Sequence, residues 1–159
     1  MSTTVEYPSE IVPRPPRLTM DLPEDWQQVW APETLIAVRK ADDGSGRFLP
    51  NVAVTHRVVP APYDGDRAYA DLQAFVAGKD EGEVRPLRTK TIDGQEWVGT
   101  DVAFVEPEAG TVAQIHLFLL RQRGEVVDLL QVVGSFGAAE LEQDQAVVGQ
   151  ALESVRVTW

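Results

Sequence analysis

Apolar positions along this chain follow a period of two in most segments and a helical period in two. Leu18 to Leu22 alternates and reads as a short strand. Asp21-Leu22-Pro23-Glu24-Asp25-Trp26 follows as a turn into a short helix or loop. Thr34 to Lys40 and Val52 to Val59 have the β-branched, alternating character of strands. Asp42-Asp43-Gly44-Ser45-Gly46 lies between them as a loop, so the two strands are expected to pair as a hairpin.

Asp64 to Gly78 carries Tyr69, Leu72, Phe75 and Val76 on one helical stripe, with Asp64 or Asp66 available as a cap and Gly78 as a stop. An antiparallel meander then begins. Leu87 to Ile92 passes through Asp93-Gly94, a strong two-residue hairpin signal, into Gln95 to Val105. Thr111 to Arg121 passes through Arg123-Gly124 into Glu125 to Val133, and Gly134-Ser135-Phe136-Gly137 is expected to break that strand. A second helix is predicted over Ala138 to Ser154, with Leu141, Ala146, Val147, Leu152 and Val155 inward, before a last short strand to Trp159. The predicted fold class is α+β: an antiparallel β-sheet of about seven strands flanked by helices on both faces. Apolar neighbours such as Phe118-Leu119 and Leu129-Leu130 point to a sheet covered on both sides.

Residues 1–16 form a separate extended arm in this reading, because Pro8, Pro13, Pro15 and Pro16 disfavour a helix and remove backbone donors. Residues 17–159 form one domain, a length that can bury a real core.

With that order of elements, the chain from about Arg17 to Trp159 resembles the PsbP-like superfamily of α/β/α sandwiches, most of all its actinobacterial LpqN-type group. The residues that carry the resemblance are Leu22-Pro23-Glu24-Asp25-Trp26, Phe48-Leu49-Pro50-Asn51-Val52-Ala53-Val54, Ile92-Asp93-Gly94-Gln95 and Ser154-Val155-Arg156-Val157. The resemblance implies a binding or accessory role, and it brings no set of catalytic residues with it.

Charge narrows the partners. The net charge is -11, from 25 acidic and 14 basic residues, which opposes binding to phosphate backbones or anionic membrane surfaces. No apolar run approaches the ~20 residues of a membrane span, so no membrane insertion is expected. The absence of Cys removes disulfides, thiolate catalysis and cysteine-based metal sites. Neither a basic segment followed by an apolar one nor a lipid-accepting Cys stands near the N-terminus, and the expected location is cytoplasmic.

Chemistry has few raw materials here. The only histidines are His56 and His116, and no nucleophile elbow, phosphate loop, dinucleotide fingerprint or zinc helix is present. The expectation is a protein without catalytic residues, cofactor or metal. A hydrolase would require an acid within reach of one His and a neighbouring Ser or Thr. The Asp42-Asp43-Gly44-Ser45 run lacks the alternating acids of a calcium loop and reads as a solvated connection, while Pro50-Asn51 sets the start of a strand.

Two candidate surfaces remain. Trp26 and Trp30 lie four apart, would share a face if helical, and form a candidate surface for a partner protein. In the meander, a hairpin centred on Arg123-Gly124 sets His116 opposite Gln131, and pairing of Val105 with Thr111 sets it opposite Thr100. Thr100, His116 and Gln131 then make a polar row among Val98, Phe118 and Leu129, a candidate floor for a small-ligand pocket. The leading expectation is a non-catalytic protein-binding or accessory module. The alternative is a small-ligand carrier or sensor using that row.

Overall fold

The computed structural model describes residues 1–159. Ten strands and two helices follow in the order β1 (Arg17–Thr19), β2 (Trp26–Val29), β3 (Ile36–Lys40), β4 (Asn51–Pro60), α1 (Gly65–Ala77), β5 (Asp80–Val84), β6 (Arg88–Ile92), β7 (Gln95–Glu106), β8 (Gly110–Arg123), β9 (Val126–Gly137), α2 (Leu141–Glu153) and β10 (Arg156–Thr158). Eight strands form one sheet in the order β2-β3-β4-β9-β8-β7-β5, with β6 also on β7. Every pairing is antiparallel, and β1 and β10 make a separate two-stranded sheet. No helix is long and apolar enough to cross a membrane.

The long strands are apolar on both faces because both faces are covered. Val52, Val54, Leu117, Leu119, Leu130 and Val132 pack with Val148, Ala151 and Leu152 of α2. Leu18, Met20, Val157 and Trp159, on and beside the small sheet, close the same side. On the opposite face Val102, Phe104, Val112, Phe118 and Leu129 pack with Ala68, Leu72 and Val76 of α1. The expected α+β sheet between helices is therefore present.

Local chemistry explains the turns. Asp64 caps α1 by accepting from the Arg67 amide at 2.9 Å. Asp93 and Gly94 both take positive φ, 51° and 74°, as a two-residue hairpin turn requires. Asp42 and Asp43 each accept the amide two residues on, so the Asp/Gly segment is a self-bonded loop. Asn51 donates to the Leu49 carbonyl at 3.3 Å where β4 begins. The loop is also tied down at Arg47, whose guanidinium donates to buried Asp144 of α2 at 2.9 Å and lies 3.3 Å from Glu140. The hydrogen bond to Asp144 is the main reason the Arg47 guanidinium has its pKa raised.

Several expectations need correction. The segment around Trp26 is strand β2, not a helix, because it is hydrogen bonded to β3 along its whole length. Asp80–Val84 is a strand that composition did not suggest, and its acidic residues are tolerated because it lies at the sheet edge. In α1 the inward residues are Ala68, Leu72 and Val76, while Phe75 is exposed. In α2 they are Asp144, Val148, Ala151 and Leu152, while Leu141 is exposed. Leu72, Val76 and Leu152 keep their expected inward positions, and the rest of each stripe is rotated from the expected one.

Gly134 does not break β9, which runs on to Gly137. A Cβ at Gly134 would overlap Val148 Cγ1 and lie 2.9 Å from Leu152 Cδ1, so this glycine lets α2 seat directly on the strand. Gly149 lies within α2 with open space around its Cα. Gly134→Ala is expected to cost about 1–3 kcal/mol in urea unfolding through overpacking. Gly149→Ala is expected to stabilise by about 0.5–1 kcal/mol through helix propensity. Equal effects of the two substitutions would refute this account of the α2 contact.

Candidate functional site

The register of the meander decides where its polar residues meet. Thr100 pairs with His116 as expected. The β8–β9 turn is centred one residue later than expected, on Gly124-Glu125, with Arg123 opposite Val126. His116 therefore faces Val133, and Gln131 faces Phe118. The offset is two residues, which preserves side-chain parity, so His116 and Gln131 stay on one face as diagonal neighbours. Gln131 Nε2 reaches His116 Nδ1 at 3.0 Å.

Two residues that the sequence reading did not single out extend the row. His116 Nε2 lies 2.8 Å from Gln114 Oε1, and Gln114 Nε2 donates to Ser135 Oγ at 3.0 Å. The imidazole thus accepts from Gln131 at Nδ1 and donates to Gln114 from Nε2, which is its neutral form. Burial pushes its pKa down to about 4, against the smaller opposing field of Asp101. Phe118 stacks beside it with ring centroids 6.3 Å apart.

This row lines a cleft of about 370 Å³ between α1 and the sheet. Gln114, His116, Phe118, Gln131 and Val133 line the sheet side, and Ala68, Leu72 and Phe75 line the helix side. Phe75, 56% exposed, is at home here as a wall of the cleft. Arg57, Tyr63 and Asp71 complete the lining. The Tyr63 hydroxyl donates to Asp71 at 2.8 Å, and Arg67 Nε donates to the other oxygen at 3.2 Å. The Tyr63 hydroxyl and then Arg67 hold the Asp71 carboxyl below its ordinary range, while burial first and then Asp71 raise the Tyr63 phenol. Arg57 forms no ion pair.

Thr100 shares the face of this row but does not line the cleft. It is fully buried and donates to the Arg85 carbonyl at 2.6 Å, which also accepts from Tyr69 of α1. Its hydroxyl ties the β5–β6 connection to β7, while Tyr69 ties the same carbonyl to α1.

The tryptophan pair is separated. Trp26 is 8% exposed and belongs to the core on the α2 side, while Trp30 is 86% exposed just beyond β2. The two do not form one surface.

The second histidine has an acid partner. His56 Nε2 lies 3.0 Å from Asp128 Oδ1, whose other oxygen accepts from Arg123 Nε at 2.9 Å. The imidazole partners are Asp128 for His56 and Gln114 and Gln131 for His116, with no serine or threonine hydroxyl among them.

Because the folded pKa of His116 is depressed, the unfolded chain binds a proton that the native state refuses between pH 6.5 and about 4. The stability that neutral His116 contributes is complete above that window and is lost as pH falls through it. Subtracting the urea stability of His116→Gln from that of the parent chain should give a difference that falls toward acid. The slope should approach 1.4 kcal/mol per pH unit, about one proton's worth. A difference independent of pH would show that the imidazole is not held neutral.

Sequence comparison gives no matching family model and no matching curated relative. Solved structures do match. The chain is similar to LpqN of Mycobacterium tuberculosis, described as involved in cell envelope biogenesis, at 11% identity and a TM-score of 0.74, over 99% of this chain and 90% of that one. It is similar to the cyanobacterial PsbP of Synechocystis at 12% identity and a TM-score of 0.59, over 88% of this chain and 92% of that one. It is similar to the Ran-binding protein Mog1p of Saccharomyces cerevisiae at 12% identity and a TM-score of 0.55, over 88% and 89%. The chain therefore has a PsbP-like fold, as the resemblance in its sequence implied.

Proposed function

We propose that the protein is a non-catalytic binding module whose cleft under α1 takes a small, largely apolar molecule carrying one acidic group. The observation that carries this reading is the lining of the cleft. Ala68, Leu72, Phe75, Phe118 and Val133 supply apolar walls, and Gln114, His116 and Gln131 supply a fixed polar floor. Such a combination is what small-molecule sites require, and the volume of about 370 Å³ lies within their usual range of roughly 300–1,000 Å³.

The residues at the edge set the charge of the ligand. Arg57 is exposed and forms no ion pair, whereas the Asp71 carboxylate, which feels the Arg57 field, already accepts from Tyr63 and Arg67. A free guanidinium beside an apolar slot favours a carboxylate or sulfonate on an apolar body. The floor favours binding over proton transfer, because both imidazole nitrogens of His116 are engaged by amides.

A partner protein is a second reading. It is supported by the exposed indole of Trp30 and by the description of Mog1p, which shares the fold, as a Ran-binding protein. With Trp26 in the core, Trp30 stands without its expected companion.

Anilinonaphthalene sulfonate, an apolar body with one anionic group, tests the cleft directly. Titrated into the folded chain, it should give saturable fluorescence enhancement that decanoate competes away. Arg57→Glu should weaken the affinity about tenfold, and Gln131→Leu should weaken it by loosening the polar floor. Saturable binding unaffected by either substitution would place the probe elsewhere and remove the basis of the proposal. Absence of saturable binding would do the same.

A further inference from the structure

A second cavity lies on the opposite side of the sheet from the cleft under α1, and none of its lining residues is shared with that cleft. It has a volume of about 290 Å³, with Arg121, Arg123, Asp128 and Trp159 on one side and the arm residues Pro8, Ser9, Glu10, Pro13 and Arg14 on the other. Arg121, Arg123 and Asp128 are brought to one face by the β8–β9 register, in which Arg121 pairs with Asp128 and Arg123 with Val126. The arm contributes because Pro13 is buried, although the residues on either side of it are exposed.

The charges here oppose those of the whole molecule. In a chain of net charge -11, three guanidiniums gather around one buried carboxylate. Asp128 is the one acid that pairs with any of the three: it binds Arg123 and has His56 on its other oxygen. Its two oxygens are therefore both committed, and Arg14 and Arg121 form no ion pair. Arg123 Nη2 is buried and has no hydrogen-bond partner. Trp159 lines the cavity, and the Arg121 guanidinium lies over its ring at 5.1 Å from the centroid. That contact fixes the guanidinium without using its in-plane donors.

We propose that this cavity binds a small molecule through an oxyanion group, carboxylate or phosphate, held by Arg14, Arg121 and Arg123. Arg123, oriented by Asp128 through Nε, contributes its positive charge to the cavity it lines. Arg121, oriented by Trp159, offers its planar fork. Arg14 enters from the arm, so the site is complete only when the arm is docked. Glu10, which also lines the cavity, forms no ion pair and limits the anionic charge the site accepts. His56 belongs to the support of the site through Asp128.

Isothermal titration of the full chain with inorganic phosphate, and separately with citrate, tests this at fixed ionic strength maintained with chloride. The expected result is saturable binding of at least one of them, together with a shift of the Trp159 indole N–H resonance, assigned from Trp159→Phe. Preference between the two probes distinguishes a phosphoryl from a carboxylate ligand, and either preference supports the site. Arg121→Gln and Arg14→Gln should each weaken binding about tenfold, the loss expected for one charge-assisted contact. Arg14→Gln is the safer of the two for folding, since Arg14 is exposed on the arm. Lys90→Gln, which removes a cation on a different strand, should leave affinity unchanged. No saturable binding of either anion, or binding that both arginine substitutions leave intact, overturns the proposal.

Discussion

Burial of β9 on both faces is the constraint on which the rest of this molecule depends. The strand is paired along its length with β4 on one side and β8 on the other, so its backbone groups are satisfied only while both neighbours are in register. Leu130 and Val132 belong to the α2 core, and Leu129 to the α1 core. Neither helix could be removed without exposing one face of the central strand to water. Gly134 is where this demand is tightest, because it allows α2 to reach the strand itself.

The same strand brings polar residues into an apolar layer, and they survive there because each finds partners. Gln131 and Ser135 of β9 join Gln114 and His116 of β8 in a hydrogen-bonded chain. A buried imidazole with both nitrogens engaged is cheap to keep neutral and costly to charge. Burial accounts for the depressed pKa of His116. Asp128, at the other end of β9, is kept by His56 and Arg123 in the same way. One strand thus supplies residues to two unlike cavities, one apolar with a neutral floor and one basic.

Much of the fold was legible in the sequence. Asp93-Gly94 named its hairpin, Asp64 was one of two candidate caps, and paired apolar neighbours such as Leu129-Leu130 announced a sheet covered twice. The misreadings share a cause. The spacing of Trp26 to Trp30 fits a shared helical face, but pairing with β3 fixes the Trp26 backbone and sends the indole into the core. Gly134 has the local character of a strand breaker, but in a paired strand such a glycine also marks close approach of another element. Asp80–Val84 has little strand propensity of its own and is held by β7. The floor of the cleft was half legible: Thr100 pairs with His116 as alternation requires, and Gln131 kept its face despite the shifted turn. Gln114 was within reach of the same reasoning, two residues before His116 on the same face. Arg57, Tyr63 and Asp71 carried no signal, because their meeting requires α1 to be placed over the sheet.

What the sequence by itself determined is the set of local choices: which segments alternate, where the chain turns, and which face of each strand is apolar. These are settled between residues a few positions apart, where sterics and alternation operate. What only the tertiary structure decided is which polar residues share a cavity. That depends on a register offset of two residues, on the rotation of α1 about its axis, and on the docking of the arm at Pro13. Each of these is fixed by packing between segments far apart in the chain, and no local pattern records it.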